Sequence, residues 1–173
     1  MTATTIRPAR QGDTDAILSV VARAFSDDTR DAREELAIVR RTWATCPPPS
    51  LIELVADDAG AVVGHLQAAP GLLDGRGAAV AGVAPVCVAP AYQGRGTGSA
   101  LVRALIAEAA TRDWPVLVLL GDPAYYGRFG FRPAAPLGLT YAPVRADDPH
   151  FQAYLLGRDT AVRPGVFSYC WEG

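Results

Sequence analysis

The chain has 173 residues, half of them hydrophobic and one-fifth charged, which suits one globular domain over 1–173 and excludes a disordered chain. A net charge of −2 leaves no basic excess for nucleic acid or an anionic membrane surface, so neither is expected as a partner. Cys46, Cys87 and Cys170 share no metal-ligand spacing with one another or with His65 and His150, which argues against zinc.

The opening MTATTIRPARQGDTDAI lacks the apolar core of a secretory signal, and no apolar run approaches the ~20 residues of a membrane span. With three scattered cysteines, a cytoplasmic protein is the expectation. Thr4–Arg7 reads as a short strand stopped by Pro8, and Asp13 as the N-cap of a helix on which Ile17, Val21 and Phe25 recur. A second helix is expected from Asp31 to Ala44, with Glu34 and Glu35 in its first turn and Leu36, Val39 and Trp43 on one face. The run CPPPS ends it.

Leu51–Ala56 and Ala61–Ala68 form a predicted hairpin about Asp57–Gly60, and Ala79–Val88 adds the next strand of the meander. Pro85 cannot donate to a ladder, so a bulge or break is expected there. Gly96–Arg112 carries Leu101, Leu105 and Ala109 on one helical stripe, with Val102 and Ile106 beside it. Val116–Leu120 is all apolar, as in a strand buried on both faces. The strand–helix–strand order implies a parallel pair, and Phe151–Leu156 and Val166–Trp171 are further strand candidates. The fold class is therefore α/β with a mixed sheet.

The segment VCVAPAYQGRGTGSALVRAL (Val86–Leu105) runs from strand through a glycine turn into a helix. Gly94, Gly96 and Gly98 leave backbone amides open, and the helix N-terminus adds unpaired donors and the positive end of its dipole. Such a turn suits a phosphate or pyrophosphate. A dinucleotide turn would place its third glycine where Ser99 stands, and a P-loop needs a Gly-Lys-Ser/Thr that is absent here.

Two motifs resemble the GNAT superfamily of N-acetyltransferases. Gln93, Gly96 and Gly98 match its Gln/Arg-x-x-Gly-x-Gly/Ala signature, and Tyr126, Gly130 and Phe131 match its Tyr-x-x-x-Gly-Phe. The wording GDPAYYGRFGF is similar to a bacterial subgroup of predicted acetyltransferases. The resemblance is specific over Ala84–Pro133, looser over Thr4–Leu73 and weak beyond Leu139. It implies the GNAT fold, in the order β-α-α-β-β-β-α-β-α-β-β, with the sheet splayed between its fourth and fifth strands.

The resemblance further implies acetyl-CoA (coenzyme A) as cofactor and an amine as acceptor. The backbone of Gly94, Arg95, Gly96, Thr97, Gly98 and Ser99 would hold the diphosphate, after Gln93 of the motif. The stretch Val86-Cys87-Val88 would line the pantetheine arm, which pairs at Val88, while the Val86 amide faces the thioester oxygen. Cys87 is a conceivable acyl-accepting nucleophile, but alternation turns it away from Val86 and Val88, as suits a small buried hydrophobe. The Tyr126 phenol would hydrogen-bond the departing sulfur, because a phenol of pKa about 10 transfers its proton uphill to a thiolate of about 8.5.

Many relatives carry a glutamate base on the fourth strand, where this chain has Gly82; Glu53, His65 and Asp122 are the substitutes to consider. Acidic Asp27, Asp28, Asp31, Glu34 and Glu35, against Arg30 and Arg33, favour a small cationic amine as acceptor. Two other functions remain compatible: a non-catalytic coenzyme A-binding module, and an enzyme using a longer acyl-CoA. The oligomeric state stays open, a homodimer included.

Overall fold

The computed structural model describes residues 4–27, 31–157 and 160–172. Strands and helices alternate in the chain as β1 (Thr5–Pro8), α1 (Thr14–Phe25), α2 (Arg33–Thr45), β2 (Ile52–Asp58), β3 (Ala61–Leu73), β4 (Arg76–Val88), α3 (Thr97–Ala109), β5 (Val116–Leu120), α4 (Pro123–Tyr126), β6 (Arg132–Pro133), β7 (Leu139–Tyr141), β8 (Phe151–Leu155) and β9 (Gly165–Tyr169). They pack as two compact units, Met1–Ala68 with Ala84–Leu105, and Ala69–Val83 with Ile106–Gly173. The long strands β3 and β4 and the helix α3 each contribute residues to both.

In the first unit β1 pairs antiparallel with β2, from Thr5↔Asp57 to Pro8↔Leu54, and β2 pairs antiparallel with β3, from Ile52↔Ala68 to Asp58↔Ala61. The apolar stripe of α1, Ile17, Val20 and Val21, closes on Val39 of α2 and on Val55, Val62 and Cys87. Each such side chain fully withdrawn from water stabilises the unit by roughly 1.5–3 kcal/mol. Arg7 fastens β1 by pairing with Asp13 at 2.7 Å and Asp57 at 2.9 Å. Asp13 does not cap α1 as its sequence position suggests. Its carboxylate turns back to accept from the Arg10 amide at 2.7 Å and from the Arg7 guanidinium, which holds it below the usual carboxylate range.

In the second unit β4 runs parallel to β5 through Val80↔Val116, Ala81↔Leu117 and Gly82↔Val118, and β8 pairs antiparallel along all of β5. The short β6 pairs with β8, while β9 joins the end of β3 at Gly71↔Tyr169 and pairs parallel with β7. Asp74, at the left-handed turn between β3 and β4 (φ 52°), accepts from Arg163 at 3.0 Å and from the Val166 amide at 2.9 Å, clasping β9.

Several expectations need correction. Among the described residues the sheet has nine strands rather than seven, because β6 and β7, at two and three residues, are too short for alternation to register. The strand of Pro85 is not broken there; β4 is continuous, and it is the ladder to β5 that stops at Gly82↔Val118 while β5 continues to Leu120. Leu120 itself is 47% exposed, so the apolar strand is not covered to its end. Among the described residues no helix is long and apolar enough to cross a membrane.

Candidate acetyl-transfer site

The glycine turn has the geometry an anion site requires. Gly94 (φ 70°) and Gly96 (φ 86°) are left-handed, which a β-carbon would strain, and nothing stands within 4 Å of where that carbon would be. The first helical bond of α3 runs from the Ala100 amide to the Gly96 carbonyl at 2.9 Å. The amides of Thr97, Gly98 and Ser99 precede it and are the orphan donors of the helix start. They share that end with the positive pole of a 13-residue helix.

Gln93 Nε2 donates to the Val88 carbonyl at 2.9 Å and so braces the turn against the end of β4. Thr97 is nearly buried, with Oγ1 3.5 Å from the Tyr92 carbonyl, and the Arg95 guanidinium lies 5.8 Å from the Tyr92 ring centre. A cavity of ≈ 280 Å³ opens beside the turn between Ile6, Asp58, Tyr92, Arg95 and Thr97. The sequence reading brought together Val88, Gln93 and Gly94–Ser99, and these are contiguous in the first unit.

Val86 and Val88 are partly exposed, and Cys87 between them is buried, as alternation requires. Burial pushes the Cys87 thiol up to about 12, against a hydrogen bond from the His65 amide that works the other way. At neutral pH it is a thiol, not a thiolate, so Cys87 is no acyl-accepting nucleophile.

In the second unit Tyr126 ends the short helix α4, which Pro123 opens and Asp122 caps by accepting from the Ala124 amide at 2.8 Å. Asp122 thus serves as the N-cap of α4. The Tyr126 ring lies over Gly121, where a β-carbon would come within 2.4 Å of it, and packs edge-on to Phe131 at 5.8 Å and Tyr125 at 4.9 Å. Its hydroxyl makes no hydrogen bond with the described residues. Burial, with a smaller contribution from Tyr125, raises its pKa well above that of a free phenol, so the hydroxyl keeps its proton at neutral pH and is able to donate a hydrogen bond.

Glu53 and His65 leave the list of bases. The Glu53 carboxylate accepts from Trp43 Nε1 at 2.9 Å and Gln67 Nε2 at 2.8 Å, and meets His65 Nε2 at 2.9 Å. Burial works to raise its pKa, but the contacts with His65, Gln67 and Trp43 together outweigh it and hold Glu53 below the usual carboxylate range. A carboxylate so stabilised is a poor proton acceptor. His65 and Gln67 are fully buried, and His65 Nδ1 and Gln67 Oε1 find no partner among the described residues. Sequence reasoning missed Trp43 and Gln67 here; the spacing His65-x-Gln67 on a strand facing Glu53 across a hairpin was the available signal.

Gly82 has no room for a carboxylate. A β-carbon there would stand 2.5 Å from Cδ1 and Cε1 of Tyr169 and 2.8 Å from Phe167 Cζ. The acidic stretch is also thinner than its sequence. Asp31 accepts from the Arg33 amide at 3.0 Å and its guanidinium at 2.9 Å, and Glu35 is buried, while Asp28 and Arg30 lie outside the described residues.

Residues 5–134 match the family model of the acetyltransferase (GNAT) domain. The uncharacterized N-acetyltransferase YhbS of Escherichia coli K12 is 30% identical over 128 residues, 71% of this chain and 70% of YhbS. The crystal structure of Escherichia coli YhbS in complex with CoA has a TM-score of 0.82 at 29% identity, covering 98% of this chain and 91% of that one. A GNAT family acetyltransferase from Brucella melitensis, in complex with acetyl-CoA, has a TM-score of 0.78 at 30% identity, over 98% of this chain and 97% of the other.

Proposed function

The chain belongs to the GNAT acetyltransferases and is an acetyl-CoA-dependent acyltransferase, and from that premise we propose that it acetylates a primary amine on a small molecule by direct attack in a ternary complex. The observation that carries the reading is the turn Gly94–Ser99, whose left-handed glycines and orphan amides form a cradle for the diphosphate of acetyl-CoA. When bound, the cofactor supplies an acetyl group already activated as a thioester.

This chain's own residues do the rest. The amides of Thr97, Gly98 and Ser99 bind the diphosphate, and Gln93 keeps the turn rigid from behind. The Val86 amide stabilises the oxyanion that forms during attack, a contribution of about 3 kcal/mol for one donor in a water-poor site. Tyr126 steadies the departing sulfur through its unpaired hydroxyl. A carbon–nitrogen bond replaces the carbon–sulfur bond, and the proton that the amine loses balances the one that the thiol gains. Lacking a carboxylate base, the enzyme draws on the neutral fraction of the amine, which favours acceptors of lower pKa. An α-amine of pKa about 8 costs roughly 1.4 kcal/mol to deprotonate at pH 7, against 4–5 for a lysine-type amine.

Two measurements test this. Gly98→Glu places bulk and negative charge on the cradle and abolishes acetyl-CoA binding in calorimetry while the protein stays folded; unchanged affinity rejects the cradle. Wild-type protein supplied with acetyl-CoA and a panel of primary amines (ethanolamine, glycinamide, phenethylamine and spermidine) releases free thiol faster than without amine. Tight cofactor binding with no amine-dependent release would instead favour a non-catalytic coenzyme A-binding module.

A further inference from the structure

Gly121 is the seat of the Tyr126 ring, and its own backbone is held from two sides. At one end of the β5–β8 pairing the Leu156 amide donates to the Pro115 carbonyl at 2.8 Å, and at the other the Gly121 amide donates to the His150 carbonyl at 2.9 Å. In an antiparallel ladder a residue pair that makes one such bond ordinarily makes the reciprocal one. At Gly121 it does not, because the His150 amide donates to the Asp148 carboxylate at 2.8 Å. The residue before it, Pro149, has no N–H to offer instead. A side chain fills the gap: Gln152 Nε2 donates to the Gly121 carbonyl at 2.9 Å.

Gln152 is an expensive residue for that place. It is 1% exposed, stands on β8 between Leu119 of β5 and Pro133 of β6, and is flanked along its strand by the buried Phe151 and Ala153. An apolar side chain would be buried there at less cost, so the donor is what distinguishes the amide. What the donor holds is the platform of Tyr126. A β-carbon on Gly121 would come within 2.4 Å of the Tyr126 ring and 3.4 Å of Leu119, the residue opposite Gln152. From Gly121 the chain enters α4 directly, with Asp122 as its cap and the Tyr126 amide bonded to the Asp122 carbonyl at 3.0 Å. The ring and the helix that carries it both take their position from this one residue, and all of these groups lie in the second unit.

We propose that Gln152 is a positioning residue for acetyl transfer: its bond to the Gly121 carbonyl fixes the Gly121–Asp122 peptide, and with it the ring above, so that the Tyr126 hydroxyl stands where the leaving sulfur arrives. The inference rests on the acetyl-transfer reading and on the role given there to Tyr126. Gln152 acts through Gly121 and is no catalytic group itself. Without its donor the Gly121 carbonyl is stranded beside a buried side chain, and the peptide turns to find another partner. A reacting group displaced by about 1 Å loses up to about 10²-fold in rate, so a small turn of the platform is enough to be read in turnover.

The test is a double-mutant cycle between Gln152→Met and Tyr126→Phe, assayed with acetyl-CoA and whichever of the four amines wild-type enzyme turns over fastest. Methionine keeps the length of the side chain and removes its donor. Gln152→Met lowers kcat about 10-fold, while KM for acetyl-CoA and the calorimetric affinity for CoA stay within about twofold. In Tyr126→Phe protein, already about 10²-fold slower, adding Gln152→Met costs less than about twofold more, because the hydroxyl it would displace is gone. A residue that only supports the fold would cost the same factor in both backgrounds. Losses that multiply, an unchanged kcat in Gln152→Met, or equal falls in kcat and CoA affinity overturn the proposal. A Tyr126→Phe enzyme with full turnover removes the role of Tyr126 first, and a wild-type enzyme that turns over none of the amines removes the acetyl-transfer reading; either takes this inference with it. Should Gln152→Met fail to fold, Gln152→Leu carries the same comparison, and failure of both to fold assigns Gln152 to the fold alone and overturns the proposal.

Discussion

Replacing Glu53 with leucine distinguishes a structural anchor from a catalytic base. The substitution removes the shared acceptor of Trp43 Nε1, His65 Nε2 and Gln67 Nε2, at 2.9, 2.9 and 2.8 Å. His65 and Gln67 are sealed from water, so their donors lose a partner without gaining one, at about 1–3 kcal/mol each. Trp43 is only part-buried and recovers some hydration. The sum is about 4 kcal/mol, which for a protein of this size corresponds to a fall of roughly 10 °C in Tm. Glu53→Gln keeps one acceptor oxygen but sets an amide N–H₂ against existing donors, and falls between leucine and wild type. Replacing Glu53, His65 and Gln67 together with apolar residues recovers much of the loss, because only the part-buried Trp43 donor is then left without its acceptor. Thermal unfolding followed by circular dichroism measures the series, and acetyl-CoA turnover is measured beside it. A Glu53→Leu protein melting within about 3 °C of wild type refutes the anchoring argument. So does a Glu53→Gln protein that is fully stable but has lost turnover, since Glu53 would then be the base.

Two further outcomes follow from the same geometry. Because the folded pKa of Glu53 is depressed, the network's stabilisation is fully present above the unfolded carboxylate value of about 4.3 and is lost as pH falls through the folded value. Denaturant titrations therefore give a flat stability from pH 7 to about 5 and a decline below it that Glu53→Gln makes shallower; identical slopes would contradict the shift. Tyr126→Phe lowers kcat about 10²-fold with little change in acetyl-CoA affinity, whereas Tyr125→Phe leaves kcat near wild type; the reverse pattern would move the role to Tyr125.

The glycine turn was legible in the sequence because its chemistry is local. Positive φ at Gly94 and Gly96 and a helix beginning at Thr97 are properties of a few consecutive residues. Periodicity likewise located α1, α2, β2 and the hairpin, since each buries one face against a core, and an unbroken apolar run located β5. What fills the space at Gly82 was not legible, because it depends on contacts across long separations in sequence. Tyr169 lies over Gly82 from 87 positions away, and nothing near Gly82 announces what fills its place. Glu53, His65 and Asp122 have the right functional groups for a base, and only their partners show that each is committed to holding structure.

The clasp at Asp74 also gives the second unit a timetable. Gly71 emerges from the ribosome 95 residues before Val166, whose amide Asp74 holds, and 98 before Tyr169, with which it pairs. At about 5–20 residues per second, that interval lasts roughly 5–20 s. The first unit needs only residues up to Leu105 and has its apolar stripe complete well before then. During the wait, the end of β3 is an unpaired edge and Gly71 and Gly82 lack the rings that cover them, so the nascent chain carries an exposed strand until β9 is made. The aromatic residues of β9 act as a late closure, and translation through the C-terminal segment sets when this part of the molecule can leave its aggregation-prone stage.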